Sequence, residues 1–245
     1  MFNLYKANMA RLFKKSFYIF GLVVALAATY VFTSSTVEIS FLAGAEPVDR
    51  MVFVSAAMVA FFTIFVPIFT NSEYTDGVIR NKMISGLSQK EIYVSHLLTE
   101  ISAAVIMWVC YMVGGILGGA KLDGNHIIAD LVILVALFNY IATVLVVSFR
   151  LKKLVPVIIF AAIIFNCTFN SIMMGNLALM LTNGATQKVM SWLYNVSALG
   201  QWFTYTGFAV EEASPGVAAQ LLISFVIIVL MTLVGTFRLN KRDLG

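Results

Sequence analysis

Six apolar runs, each near or above the roughly 20 residues needed to cross about 30 Å of hydrocarbon, leave this chain few ways to fold. They lie at about Phe17 to Thr36, Met51 to Phe69, Ile92 to Leu117, His126 to Ser148, Leu154 to Leu181 and Gly216 to Phe237. The third and fifth exceed what a perpendicular helix requires, so they must tilt, kink or project beyond the bilayer. A chain of 245 residues that is 60% hydrophobic and 11% charged departs from globular usage and excludes a water-soluble domain. No internal repeat and no low-complexity linker divides it, so 1–245 reads as one all-α transmembrane domain of six helices. The missing repeat weighs against a secondary transporter built from inverted halves.

Charge placement gives the expected topology. Thirteen of the sixteen cations (Lys6, Arg11, Lys14, Lys15, Arg80, Lys82, Lys90, Arg150, Lys152, Lys153, Arg238, Lys241 and Arg242) fall on one side of a six-span chain. Arg50, Lys121 and Lys188 fall on the other, so both termini are expected in the cytoplasm of a multi-pass cell-membrane protein. With its cations dispersed between spans, the net charge of +4 carries no nucleic-acid signal. Cys110 and Cys167 sit in apolar runs and read as small buried hydrophobes.

Two flanking segments carry helical or interfacial signals. In Met1 to Lys15, Phe2, Tyr5, Met9, Leu12 and Phe13 share one helical face and Asn3, Asn8, Arg11, Lys14 and Lys15 the other. The spacing predicts an amphipathic interfacial helix with its cations toward headgroups. Thr182 to Pro215, carrying Trp192, Leu193, Tyr194, Trp202, Phe203, Tyr205 and Phe208, is too hydrophobic for a solvated loop. It predicts short re-entrant helices on the outer side before span six, or an aromatic belt anchoring two helix ends.

No G-x-x-x-x-G-K-[ST] is present to cradle nucleotide phosphates. The two histidines, His96 and His126, lie toward opposite faces, which argues against zinc. Glu211 and Glu212 lack the companions that a glutamate-pair intramembrane protease would need. No catalytic, cofactor-binding or metal-binding residues are therefore assigned.

Within the spans, His96 and Glu100 are one turn apart, a spacing that lets them hydrogen-bond as an intramembrane polar pair. That pair reads as a proton relay or as a partly hydrated pair near the interface. Phe61, Phe65 and Phe69 recur every four residues, and Asn166, Thr168, Asn170 and Ser171 make the middle of span five polar. Phe61, Phe65, Phe69, Asn166 and Asn170 are candidates for a translocation path, with helix or lipid contact as the competing reading. Gly114-x-x-x-Gly118 and Gly115-x-x-x-Gly119 permit close helix approach.

The most charge-rich interruption is Thr70 to His96, too long for a mere turn. Ser72, Thr75 and Asp76 offer caps for a short helix that Gly86 would end. Its pattern, E-Y-T-D-G-V-I-R-N-K-M-I-S-G-L-S-Q-K-E-I-Y-V-S, resembles the coupling-helix segment of ABC-2-type transporter permeases. There an acidic residue, a glycine and a basic-apolar stretch precede a G-x-S-[RQ]-x-x-[IY]-Y exit. The basic N-terminal helix, the six spans, the aromatic segment before the last span and the tail from Phe237 to Leu244 extend the resemblance over the whole chain. Gln89-Lys90 stands where an arginine often follows the serine, a departure at the exit.

The resemblance implies a cytoplasmic coupling helix between spans two and three, with Glu73, Asp76, Gly77, Arg80 and Lys82 in the ATPase cleft and Gly86 and Ser88 setting the return. It implies a non-enzymatic permease subunit of a bacterial exporter moving an amphipathic substrate, most plausibly peptide. The expected partners are an ABC ATPase subunit, which would hold ATP and magnesium, a second identical or related permease, and membrane lipid. No nucleic acid and no cofactor in this chain are expected. Charge reversal at Glu73 or Arg80 is expected to uncouple hydrolysis from export without unfolding. The competing reading is an autonomous channel or ion-coupled carrier using Glu100, Asn166 and Asn170.

Overall fold

The computed structural model describes residues 2–34, 44–151 and 153–237. Glu38, Lys152, Arg238, Lys241, Arg242, the expected end of span one at Thr36 and the tail motif to Leu244 lie outside the described residues. In chain order the helices are α1 (Phe2–Leu12), α2 (Ser16–Thr33), α3 (Pro47–Thr75), α4 (Val78–Ile84), α5 (Gln89–Gly118), α6 (Gly124–Arg150), α7 (Leu154–Leu181), α8 (Gly184–Tyr194), α9 (Ala198–Phe203) and α10 (Val217–Thr236). A 3-10 turn at Glu211–Ala213 precedes the last of them. Among the described residues no strand occurs, and six helices (α2, α3, α5, α6, α7 and α10) are long and apolar enough to cross a membrane. The chain is a multi-pass membrane protein.

Helices α3 and α6 form the enclosed centre. In their apolar windows 61% and 67% of residues are buried, against 17% for α7 and for α10, whose outer faces are open to surrounding lipid. Around that centre α2 packs on α3 and α5, and α10 packs on α6. Helix α2 approaches α5 closely. A methyl group at Gly114 would run into the Leu26 carbonyl, and one at Gly118 would stand 2.8 Å from the Tyr30 carbonyl oxygen. The glycine pair therefore joins two helices of one chain, and Gly115, on the neighbouring face, admits Met51 of α3.

The protein-facing side of α1 draws from both of the faces expected from apolarity. Leu4, Asn8 and Leu12 are buried, whereas Phe2 and Phe13 are exposed. The helix packs on α5, where Tyr5 Oη and Ser102 Oγ lie 2.8 Å apart and Asn8 Nδ2 donates to Ser95 Oγ at 3.1 Å. An exposed phenyl group is at no disadvantage beside lipid, while an amide there needs a protein partner.

Between α7 and α10 the irregular chain is held by buried side-chain amides. Gln220 Nε2 donates to Asn195 Oδ1 (2.8 Å), Gln201 Nε2 to the Asn195 carbonyl (2.7 Å) and Asn195 Nδ2 to the Ala213 carbonyl (2.7 Å). Trp202 Nε1 donates to the Val52 carbonyl of α3 at 2.7 Å, which fastens α9 to the centre of the bundle. Backbone that leaves helical pairing is tolerated in such a protein where partners of this kind satisfy it.

Candidate functional site

The stretch from Thr70 to His96 folds as the end of one span, a short helix and the start of the next. Helix α3 does not stop at the last apolar residue but runs on to Thr75, because Thr70, Asn71 and Glu73 are buried by neighbouring helices. Ser72 and Thr75, expected as caps of the short helix, instead donate back to carbonyls of α3, to Phe69 (2.8 Å) and to Asn71 and Ser72 (3.2 Å each). The reversal falls to Gly77 at φ +66°, in the left-handed region that a side chain disfavours. α4 begins at the next residue. It ends as expected at Gly86, with Gly86 N–H donating to Met83 and Leu87 N–H to Lys82, the Schellman pairing. Ser88 then caps α5: its Oγ accepts the Glu91 N–H (3.2 Å), and its own N–H donates to Glu91 Oε2 (2.9 Å).

This path brings three nitrogen donors onto one carboxylate. Glu73 is fully buried and accepts from Arg11 of α1, from Lys82 Nζ of α4 at 2.6 Å and from His96 Nε2 of α5 at 2.8 Å. Lys82 also donates to Asn8 Oδ1 at 2.9 Å. A lone carboxylate here would be strongly disfavoured by desolvation, so the surrounding cations are what allow it to be buried charged. Burial pulls the Lys82 ammonium below the usual lysine range, against the opposing pull of Glu73. Beneath the ions His96 meets the rings of Phe69 and Phe149, with centroids 5.8 and 5.3 Å away.

Two expectations change. Glu73, expected to touch an ATPase, has its side chain turned into the bundle, and Lys82 is mostly enclosed beside it. Nor do His96 and Glu100 form a pair. His96 Nε2 goes to Glu73, its Nδ1 has no hydrogen-bond partner, and both oxygens of the fully buried Glu100 have none among the described residues. Helical spacing brings the two side chains to one face, but an ionised carboxylate on α3 already flanked by cations is the stronger partner.

What remains outward is Asp76, Arg80, Asn81 and Ile84, with Ile84 75% exposed on a short helix otherwise polar on that side. Arg80 and Ile84 stand four residues apart on α4, Asp76 precedes the helix at the end of α3, and Ile79 is buried. Gly77, Gly86 and Ser88 are framework of this segment.

The aromatic series is a stack. Phe61 to Phe65 and Phe65 to Phe69 have centroids 5.3 and 5.6 Å apart with nearly parallel planes. Phe65 and Phe69 are core, whereas Phe61 also lines an apolar cavity of about 110 Å³ with Phe17, Gly21 and Met107. Asn166 and Asn170 are exposed on α7, far from the ion cluster in the chain, with Asn170 Nδ2 donating to Asn166 Oδ1 at 2.7 Å. Sequence reasoning missed Arg11 and Asn8 as members of the cluster. Their only signal was two polar groups three residues apart on a helix flanking the spans.

No family model, curated protein or solved structure significantly matches this chain.

Proposed function

We propose that the chain is the membrane-spanning permease subunit of an ATP-driven exporter, with α4 as its coupling helix. The observation that carries this reading is the exposed pair Arg80 and Ile84 on a helix tied through Lys82 to the buried Glu73 ion cluster. A short exposed helix rigidly tied to α1, α3 and α5 can pass a push from a soluble partner to several spans at once. In this reading both termini are cytoplasmic, α1 lies along the inner interface with Phe2 and Phe13 in lipid, and α8 and α9 re-enter the membrane from outside. The partner is a separate ATPase holding ATP and magnesium, so the chain itself hydrolyses nothing. A second permease copy would face the exposed Asn166 and Asn170. The few fixed charges of the spans suit an amphipathic cargo, with peptide the first class to test in a bacterial plasma membrane.

Co-expression with soluble ABC ATPases from the same genome tests the proposal. Arg80→Glu and Ile84→Asp should abolish substrate-stimulated hydrolysis and co-purification of the ATPase while leaving the thermal midpoint of the purified chain unchanged. Retained coupling in both variants overturns the assignment.

A second reading, an ion-coupled carrier, is favoured by one observation: Glu100 is fully buried with neither oxygen partnered, and intramembrane carboxylates often mark proton or ion pathways. Proton-dependent transport by the chain alone in liposomes, lost in Glu100→Gln, would put this reading first.

A further inference from the structure

A cavity lies away from the ion cluster, where α7 ends and α10 begins. About 390 Å³ in volume, it is lined on one side by Gly184, Gln187, Lys188, Ser191 and Trp192 and on the other by Glu212, Ser214 and Pro215. The first set recurs at three- and four-residue steps, so one face of α8 forms one wall. The second wall is fixed to it: Ser191 Oγ donates to the Ala213 carbonyl at 3.1 Å, and Asn195 Nδ2 donates to the same oxygen at 2.7 Å.

Within this space the neutral polar groups are already used. Gln187 Nε2 donates to the Leu179 carbonyl, and Ser214 Oγ accepts the Gly216 N–H. The Lys188 ammonium and the Glu212 carboxylate are not: among the described residues neither takes part in an ion pair or hydrogen bond. One cation and one anion therefore face a shared cavity without neutralising each other.

The depth of the cavity follows from the chain. Gly184 comes just after the last residue of α7, and Pro215 just before α10, so the site sits where two apolar spans leave the hydrocarbon. Trp192 belongs at that level. Val189 and Leu193, on the same short helix, are 57% and 60% exposed, which gives the cavity an apolar flank.

We infer that this cavity binds the headgroup of a zwitterionic phospholipid bearing a primary amine, with the phosphate on Lys188, the ammonium on Glu212 and an acyl chain along Val189 and Leu193. An anionic headgroup would meet Glu212 with like charge. A quaternary ammonium could donate no hydrogen bond to it. The inference requires no ATPase partner, so its failure and that of the exporter reading are separable.

The test is native mass spectrometry of the full chain in uncharged detergent, with phosphatidylethanolamine, phosphatidylcholine and phosphatidylglycerol, and with soluble phosphoethanolamine as competitor. Phosphatidylethanolamine should be retained over each of the others by about tenfold, the scale of one charge-assisted contact. Lys188→Glu should abolish that retention, and Glu212→Lys should transfer the preference to phosphatidylglycerol. Both variants should keep the wild-type thermal midpoint. Equal retention of all three lipids, or retention unchanged in both variants, overturns the site. Displacement of the lipid by phosphoethanolamine at equal concentration overturns the lipid assignment in favour of a soluble zwitterion.

Discussion

Glu73 gathers nitrogens from three helices onto one carboxylate, so its replacement removes more than a contact. In Glu73→Gln the neighbours Arg11 and Lys82 lose their counter-charge while staying largely enclosed. Breaking a buried pair from one side costs about 3 to 5 kcal/mol, and a clear fall in thermal midpoint is expected in detergent. Unchanged stability would show that the cluster is dispensable. Glu100 should behave in the opposite sense. Because neither of its oxygens is partnered, an apolar side chain of similar volume removes a desolvated polar group and breaks no bond. Glu100→Leu is expected to match or exceed the wild-type midpoint, whatever it does to transport, and a large loss would reveal a partner for that carboxylate.

At the scale of elements, the α2–α5 contact depends on the absence of side chains. Gly118→Val must push against Thr33 and the Tyr30 carbonyl, an overpacking that costs about 1 to 3 kcal/mol. Gly124→Ala, at a position with open space around it, is the control and should leave the midpoint within error. Thermal unfolding of the two variants side by side checks this; equal midpoints would mean that α2 can retreat from α5 without loss. The same scale shows what could be read from the sequence. The spans are legible because unbroken apolarity of that length has one outcome, and Gly86 and Ser88 announce the end of α4 and the start of α5 by their turn chemistry. The end of α3 is not legible, since a polar run reads as a loop until one knows that Asn71 and Glu73 are buried by other helices. The protein-facing side of α1 is not legible for a related reason. Sorting by apolarity separates residues that suit lipid from those that suit headgroups, but it does not show that Asn8 and Arg11 find partners inside the protein.

For the whole molecule, the proposed topology has Ser88 and Ser214 on opposite sides of the membrane. Both are exposed in the fold, so single cysteines there, in a background lacking Cys110 and Cys167, should label from opposite sides with an impermeant maleimide. Labelling of both from one side would overturn the topology. The candidate site was legible as a region, through the charge and glycines of Thr70 to His96, but its internal wiring was not. Arg11 and His96 stand 62 and 23 positions from Glu73, and no local pattern encodes such pairings.

That wiring also bears on how the protein is made. Glu73 leaves the ribosome after Arg11 but before Lys82 and His96, so a nascent chain that has inserted only its first two spans holds this carboxylate with one of its three final partners in place. The contact with His96 forms only when α5 has been threaded and has docked against α1. Until then the end of α3 lacks partners that it has in the finished fold, so the arrangement that the first two spans begin is closed by the third.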